Sequence, residues 1–414
     1  MTILRSFKAV KPRIGYEKDV AAFPYDVLNS KEAREMVKGN PYSFLHVDKA
    51  EIDLPEDVDV YDKKVYKKAK ENLDNMIEKE VLVRDKKAKL YIYRLQMGNI
   101  IQTGIVGCAS IDDYMNDVIK KHEHTREEKE IDRINHVDTC NAHTGPIFLT
   151  YKYDKEVDNI IKKCTLENPV YNFMADDNII HTVWEIKEDE IIKRLENLFK
   201  NIPNVYIADG HHRTASAVKV GLKRREENKN YTGEEEFNYF LAVFFPADEL
   251  KIMDYNRVVF DTLDLTEEEF MKAVEEKFDV DLYEKDEPYK PEKNHYFGMY
   301  YNNKWYKLKA KEGTYDEKDP VANLDVSILQ ENLLTPILKI KDVRKDKRID
   351  FVGGIRGLKE LQKRINKTEN GVAFSMYPTA IEELMNIADI DKVMPPKSTW
   401  FEPKLRSGLF IHEI

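Results

Sequence analysis

Cysteine is scarce in this chain of 414 residues, with only Cys108, Cys140 and Cys164 present. That odd number, at spacings that match neither a disulfide framework nor a paired CxxC clip, argues against a disulfide scaffold or a cysteine zinc site and suits a reducing cytoplasm. Long apolar runs are missing as well. No stretch approaches the ~20 apolar residues a spanning helix needs, and the opening MTILRSFKAVKPRIG has no apolar core of the secretory kind. The expectation is a protein that is neither exported nor membrane-embedded. Positive charge is in deficit: 66 Lys and Arg against 76 Asp and Glu leave a net charge of −10. Such a field repels a polyanion unless basic groups gather on one face, so nucleic acid is an unfavoured partner. The glycine-rich phosphate loops are absent too: GxxxxGK[ST] does not occur, and FVGGIRG (351–357) lacks GxGxxG.

What is present suits a folded protein of two or three domains, because 42% apolar and 34% charged residues can enclose a core behind a solvated surface. Between Asp57 and Glu80, Tyr66, Ala69, Leu73 and Ile77 recur at steps of three and four, which predicts a helix. KLYIYRLQ (89–96) and IIQTGIVGCASI (100–111) predict a hairpin across Met97, Gly98 and Asn99. Ile191, Ile192, Leu195 and Phe199 share a helical face, NVYIA (204–208) reads as a buried strand, and another helix follows from about Thr214 to Lys229. FNYFLAVFFP (237–246) and LKIMDYNRVVF (250–260) are β-type runs, and HYFGMYY and KWYKLKA form a second hairpin around Asn302 and Asn303. Helices and strands alternate over the last hundred residues down to GLFIHEI, which suggests βα layering. The expected class is α+β, or mixed α/β, with an N-terminal region at 1–235 and a C-terminal α/β region at 236–414 packed on it.

The most informative segment is IPNVYIADGHHRTASAVK (202–219). An apolar strand runs through Asp209, Gly210, His211, His212, Arg213 and Thr214 straight into small, helix-compatible residues. The polar cluster therefore sits at a strand end and a helix N-terminus, where free N–H groups and the helix dipole favour an anion. Gly210 permits close backbone approach, Arg213 can grip a phosphate bidentately, and the two histidines add switchable donors. The cheaper alternative, Asp209 capping the helix while the histidines bond loop carbonyls, accounts for one of these residue types and not for four in a row.

A second cluster, IKKHEHTREEKEIDRINHVDTCNAHTGP (119–146), concentrates His122, Glu123, His124, Arg126, Asp132, Arg133, His136 and His143. On a helix, Arg126 and Lys129 share a face with His122 while Glu123 points elsewhere. The spacing is H-x-H and not the H-E-x-x-H that presents two imidazoles to zinc, so a catalytic strip is favoured over a metal centre. The metal question stays open. A solvated helix explains the glutamates of this stretch but not its histidines. The third region, VMPPKSTWFEPKLRSGLFI (393–411), fits two readings equally: a stiff Pro395-Pro396 loop offering Lys397 to a phosphate, or a loop anchored by Trp400 and Phe401 with solvated lysines. In AAFPYDVLNSKEAREM (21–36), Ser30 suits an N-cap, and turn chemistry accounts for Tyr25 and Asp26.

The segments FPYDVLNSKEAREMVKGNPYSFLHV, IKKHEHTREEKEIDR, YIADGHHRTASA, IDFVGGIRGL and MPPKSTWFEPKLRSGLF together resemble the DUF1015 family, often labelled ParB/SpoOJ-like, over nearly the whole chain. Within them, DGHHR is similar to the phosphate-contacting motif of the ParB/sulfiredoxin superfamily, which includes CTP-hydrolysing partition proteins, sulfiredoxin and free-serine kinases. The resemblance implies a ParB/sulfiredoxin-like core with additional mixed β-sheet layers, and Gly210, His211, His212 and Arg213 in contact with nucleotide phosphates. It also implies Mg²⁺ and a nucleotide (ATP, ADP or CTP) as cofactors. The chain departs from partition proteins in its net charge and in lacking a helix-turn-helix module. Its histidine-rich motif is similar to that of the small-molecule kinases. The function so implied is a nucleotide-dependent phosphotransferase or nucleotide hydrolase acting on a small molecule, such as serine. In that reading His122, Glu123, His124 and Arg126 do the chemistry, and Asp209 to Thr214 with Lys397 hold phosphate. The alternative is a nucleotide-responsive regulatory or DNA-associated protein without turnover.

Overall fold

The runs at 89–96 and 100–111 form the antiparallel strands Leu90–Met97 and Ile100–Ser110, with Met97 opposite Ile100. In the computed structural model, which describes residues 1–263 and 265–414, this hairpin lies within an eight-stranded mixed sheet. Its order is Ile119–Lys120, Val205–Asp209, Ile147–Tyr151, Tyr239–Pro246, Ile100–Ser110, Leu90–Met97, Ile180–Ile186 and Tyr171–Met174. Two neighbouring pairs are parallel, 119–120 with 205–209 and 147–151 with 239–246. The run FLAVFFP (240–246) is buried throughout, as a strand interior to a sheet covered on both faces requires. Its Phe240 and Phe244 join Ile105, Leu149 and Val205 in a core closed by Leu195 and Phe199 of the helix Asp189–Phe199.

The predicted helix spans Lys63–Glu78, started by Asp62, whose side chain accepts from the Lys64 N–H. Tyr66, Ala69 and Leu73 are buried as the spacing demands, while Met76 and not Ile77 completes the buried stripe. This helix packs against Glu127–Cys140, which in turn packs against His211–Glu227. At 29–36 the cap is Asn29, with Glu32 closing a capping box, and Ser30 is the first helical residue.

All of these elements belong to one compact unit, Met1–Leu250 together with Pro403–Ile414. The strand 239–246 lies beyond the boundary at 235 read from the sequence, yet it is interior to this unit's sheet. The terminal GLFIHEI also returns to this unit, pairing His412–Glu413 with Ala142–His143. The second unit, Lys251–Glu402, holds a six-stranded sheet in the order Phe278–Tyr283, Lys304–Ala310, Tyr296–Tyr301, Val372–Ser375, Tyr255–Val259 and Ile349–Gly353. Its hairpin turns at Asn302 and Asn303, whose φ values of 47° and 60° are the left-handed pair a two-residue turn needs. The alternation that suggests βα layering here yields an entirely antiparallel sheet. Element type is local information; strand direction is not. The class is α+β, and among the described residues no helix is long and apolar enough to cross a membrane.

Candidate functional site

Two short parallel strands fix the site. Val205 pairs with Ile119 and Tyr206 with Lys120, so the segments that follow, 121–126 and 209–213, leave the sheet at the same end. The antiparallel strand 147–151 starts at that end, which brings Gly145 and Pro146 beside them. Ligands collect at the carboxyl ends of parallel strands because the diverging connections open a crevice there. The register shifts between Ile207 and Asp209, a bulge that re-aims the strand end. Gly210 then takes φ 98° and opens the helix His211–Glu227, whose first turn has no side-chain cap and no acidic residue. A Cβ on Gly210 would stand 3.2 Å from the Arg213 guanidinium nitrogens, so glycine is required both for the left-handed turn and for the arginine lying over it.

The stretch His122–Arg126 is irregular and not helical; the helix begins at Glu127. Glu127, Glu128 and Glu130 fill its first turn, where carboxylates suit the dipole, and this displaces the start from the histidines. His122 and Glu123 therefore both face the second segment. The His122 ring packs edge-on against His211 at 4.4 Å, and the His122 N–H reaches His211 Nε2 at 3.5 Å. The Arg126 N–H donates to His212 Nε2 at 3.0 Å. Both motif imidazoles thus use Nε2 as an acceptor, which leaves Nδ1 to carry the proton. His211 Nδ1 lies 3.7 Å from a carboxylate oxygen of Glu123. Glu130 ties the two segments together, accepting from Thr125 and Lys219 through its carboxylate and from Ser216 through its carbonyl.

Burial dominates the electrostatics here. It depresses His122 to about 4 against the opposing pull of Asp209, and it pushes His211 well below its ordinary value, with His122 and His212 adding to the effect. His212 is lowered by burial and then by Arg126. All three rings are uncharged at neutral pH, so the positive charge beside Asp209 comes from Arg213 and Lys404, with Arg126 on the His212 side. Arg213 Nη1 donates to the Pro146 carbonyl at 2.6 Å, and Nη2 meets Asp209 at 3.2 Å. Its Nε is buried with no hydrogen-bond partner. Burial alone would raise the Asp209 carboxyl, but Lys404, 3.5 Å away, and Arg213 outweigh it and hold Asp209 below the usual carboxylate range.

The structure thus gathers His122, Glu123, Arg126, Asp209, Gly210, His211, His212 and Arg213. Glu123 is half exposed, and His124 and Arg126 are exposed. Thr214 is fully buried and spends its hydroxyl on the Gly210 carbonyl at 3.0 Å, as a helical threonine does when it bonds back one turn. Lys397 belongs to the second unit, where it takes φ 62°, its carbonyl accepts from Arg257, and its ammonium lies 5.8 Å from the Tyr255 ring centre. The partnership of Lys404 with Asp209 and the clasp of Arg213 on Pro146 have no counterpart in the sequence reading, because each joins distant positions. Among the described residues no cluster of three or more His, Cys, Asp or Glu side chains is placed to cage a metal ion.

Similarity to solved structures is distant. A conserved hypothetical protein from Pyrococcus furiosus aligns at 14% identity and a TM-score of 0.35, covering 75% of this chain and 95% of that one. A free serine kinase variant in complex with ADP aligns at 13% and 0.36, covering 75% and 91%. A C-terminally truncated SbnI from Staphylococcus aureus aligns at 9% and 0.38, covering 74% and 87%. No curated protein matches the chain significantly. The family model that does match, described as "Protein of unknown function (DUF1015)", spans residues 4–327, more than three quarters of the length, and the chain belongs to that family.

Proposed function

We propose that the chain is a nucleotide-dependent phosphotransferase or nucleotide hydrolase acting on a small molecule, such as a free amino acid like serine. The observation that carries this reading is the uncapped first turn of the helix His211–Glu227, entered through left-handed Gly210 and flanked by Arg213 with an unpartnered Nε. An open helix N-terminus with a guanidinium beside it is an anion site by dipole and by donor count. Phosphoryl transfer asks a protein for charge neutralisation and a group that orients the nucleophile, with little covalent chemistry besides. Arg213 and the first-turn N–H groups answer the first demand. Glu123, half exposed beside His211, answers the second as general base.

Magnesium takes one or two carboxylates and completes its shell with water and phosphate oxygens. Asp26, exposed and near enough to His212 to act on its protonation, suits that need. When bound, the ion neutralises phosphate charge. The deciding experiment incubates the purified protein with ATP, ADP and CTP, with and without serine, and follows phosphate release and phosphoserine. Turnover with any nucleotide supports the proposal, while binding without turnover favours a regulatory nucleotide sensor.

A further inference from the structure

A cavity of about 30 Å³ lies against Arg213, lined by Asp48, Arg133, His143, Gly145 and Ser407 among others. That is room for one water-sized group. Most of the polar wall is already committed. Asp48 accepts from Thr144 at 2.7 Å, Arg133 pairs with Asp132 at 2.9 Å while lying over the Tyr25 ring, and His136 bonds the Val47 carbonyl at 3.1 Å. Two polar atoms of the lining residues are buried without any partner: His143 Nε2 and Arg213 Nε. Buried polar groups nearly always have a hydrogen-bond partner, so a partner is to be expected.

The chemistry of that partner follows from the chain of imidazoles behind the wall. His143 Nδ1 lies 3.2 Å from His412 Nδ1, and His412 Nε2 lies 2.8 Å from a Glu236 carboxylate oxygen. His412 therefore donates through Nε2. If His412 is neutral, its Nδ1 accepts from His143, and His143 Nε2 is a bare lone pair. If His412 is charged, it donates to His143, and His143 Nε2 carries a proton. Arg213 Nε lies at the Gly210 turn, and the guanidinium nitrogen near Gly145 is Nη1, already bonded to the Pro146 carbonyl. A hydroxyl, with one donor and two acceptor sites, satisfies His143 Nε2 in either state. An ammonium fits only the first state and must sit among Arg133 and Arg213; a carboxylate fits only the second and must sit beside Asp48. Gly145 keeps the space open: a Cβ there would lie 2.9 Å from Ser407 Oγ, 3.6 Å from Arg213 Nη1 and 3.9 Å from Asp48 Oδ2.

We propose that this cavity is an anchoring subsite for a hydroxyl group, and that the small molecule handled by the neighbouring phosphate site is a compact hydroxylated compound. The second half rests on the phosphotransferase reading; the first does not. The test therefore uses protein without nucleotide. Side-chain nitrogen resonances of His143 are followed by NMR during titration with glycerol, with ethanolamine against ethylamine, and with L-serine against L-alanine. The expected result is a saturable shift of His143 Nε2 with a hydroxylated probe and about tenfold weaker binding of its counterpart lacking the hydroxyl. His143→Phe should lose that binding while His143→Gln, which keeps a polar atom near the Nε2 position, retains it. Should His143→Phe fail to fold, Gly145→Ala supplies the same loss by filling the space. The proposal is overturned if every hydroxylated probe leaves His143 unmoved, so that the cavity holds water only, or if the hydroxyl-free counterparts bind as tightly.

Discussion

Replacing Arg213 by alanine separates a phosphate ligand from a structural clamp. In the free protein the guanidinium holds the Pro146 carbonyl at 2.6 Å and Asp209 at 3.2 Å. Truncation strands the carbonyl, which costs about 1 to 3 kcal/mol for a buried polar group. Asp209 is spared isolation because Lys404 remains 3.5 Å away. The stability loss should therefore be about 2 kcal/mol, below the ~3 to 5 kcal/mol that breaking a paired buried charge produces when the partner is left isolated. If Arg213 also grips a phosphate, the loss of a charge-assisted hydrogen bond, about 1.5 to 3 kcal/mol, weakens nucleotide binding by about 10- to 150-fold. Arg213→Lys should fall between, since an ammonium cannot hold Pro146 and Asp209 in one plane and still fork onto a phosphate. Asp209→Asn provides the opposite perturbation: it removes the carboxylate competing for the guanidinium, so nucleotide affinity should rise. Titration calorimetry with ATP, ADP and CTP gives the affinities, and thermal melts establish that each variant is folded. Unchanged affinity in folded Arg213→Ala, together with unchanged affinity in Asp209→Asn, would refute the phosphate role and leave Arg213 as a clamp on the strand end.

Glu123→Gln, nearly isosteric and half exposed, should keep nucleotide affinity within about threefold and lower turnover by about 10² to 10⁴, as steady-state kinetics would register; full turnover removes Glu123 as the base. Because burial keeps His211 and His212 uncharged in the free protein, a bound phosphate should draw protons onto them. Binding enthalpies measured in buffers of different ionisation heat should then reveal proton uptake, with affinity rising as pH falls from about 8 to about 6. His122 carries a folded-state value of about 4 against an ordinary 6.5, so its stabilising neutrality is complete above pH 6.5 and is lost as pH falls toward 4. At about 1.36 kcal/mol per pH unit that is roughly 3 kcal/mol, and His122→Phe should flatten the melting temperature over this window.

Local signals carried much of the architecture. The stripe of Tyr66, Ala69 and Leu73, the hairpin at 90–110 and the Asn302-Asn303 turn are each written in a few adjacent residues, and each is found where those residues place it. The start of the helix at Glu127 has a local signal too, in the acidic first turn, where the glutamates are dipole partners as well as a solvated face. Asp48, Thr144 and Ser407 had no such signal, since nothing in FLHVD, HTGP or LRSGL announces that the three meet beside Arg213. Pairing sets this wall: 142–143 with 412–413 brings Thr144 and Ser407 near, 147–151 with 205–209 adds Arg213, and 119–120 with 205–209 places the neighbouring histidines, while Asp48 joins through its bond from Thr144. A strand of two residues has almost no sequence signature, yet two of these three contacts depend on one. The residue types of the site were therefore readable from the motif, whereas its walls were set by short, distant pairings whose register only the folded chain reveals. It follows that substitutions in Ile119–Lys120, through the pairing with Val205–Tyr206, should disturb the contacts of His122 with His211 as surely as changes within DGHHR itself.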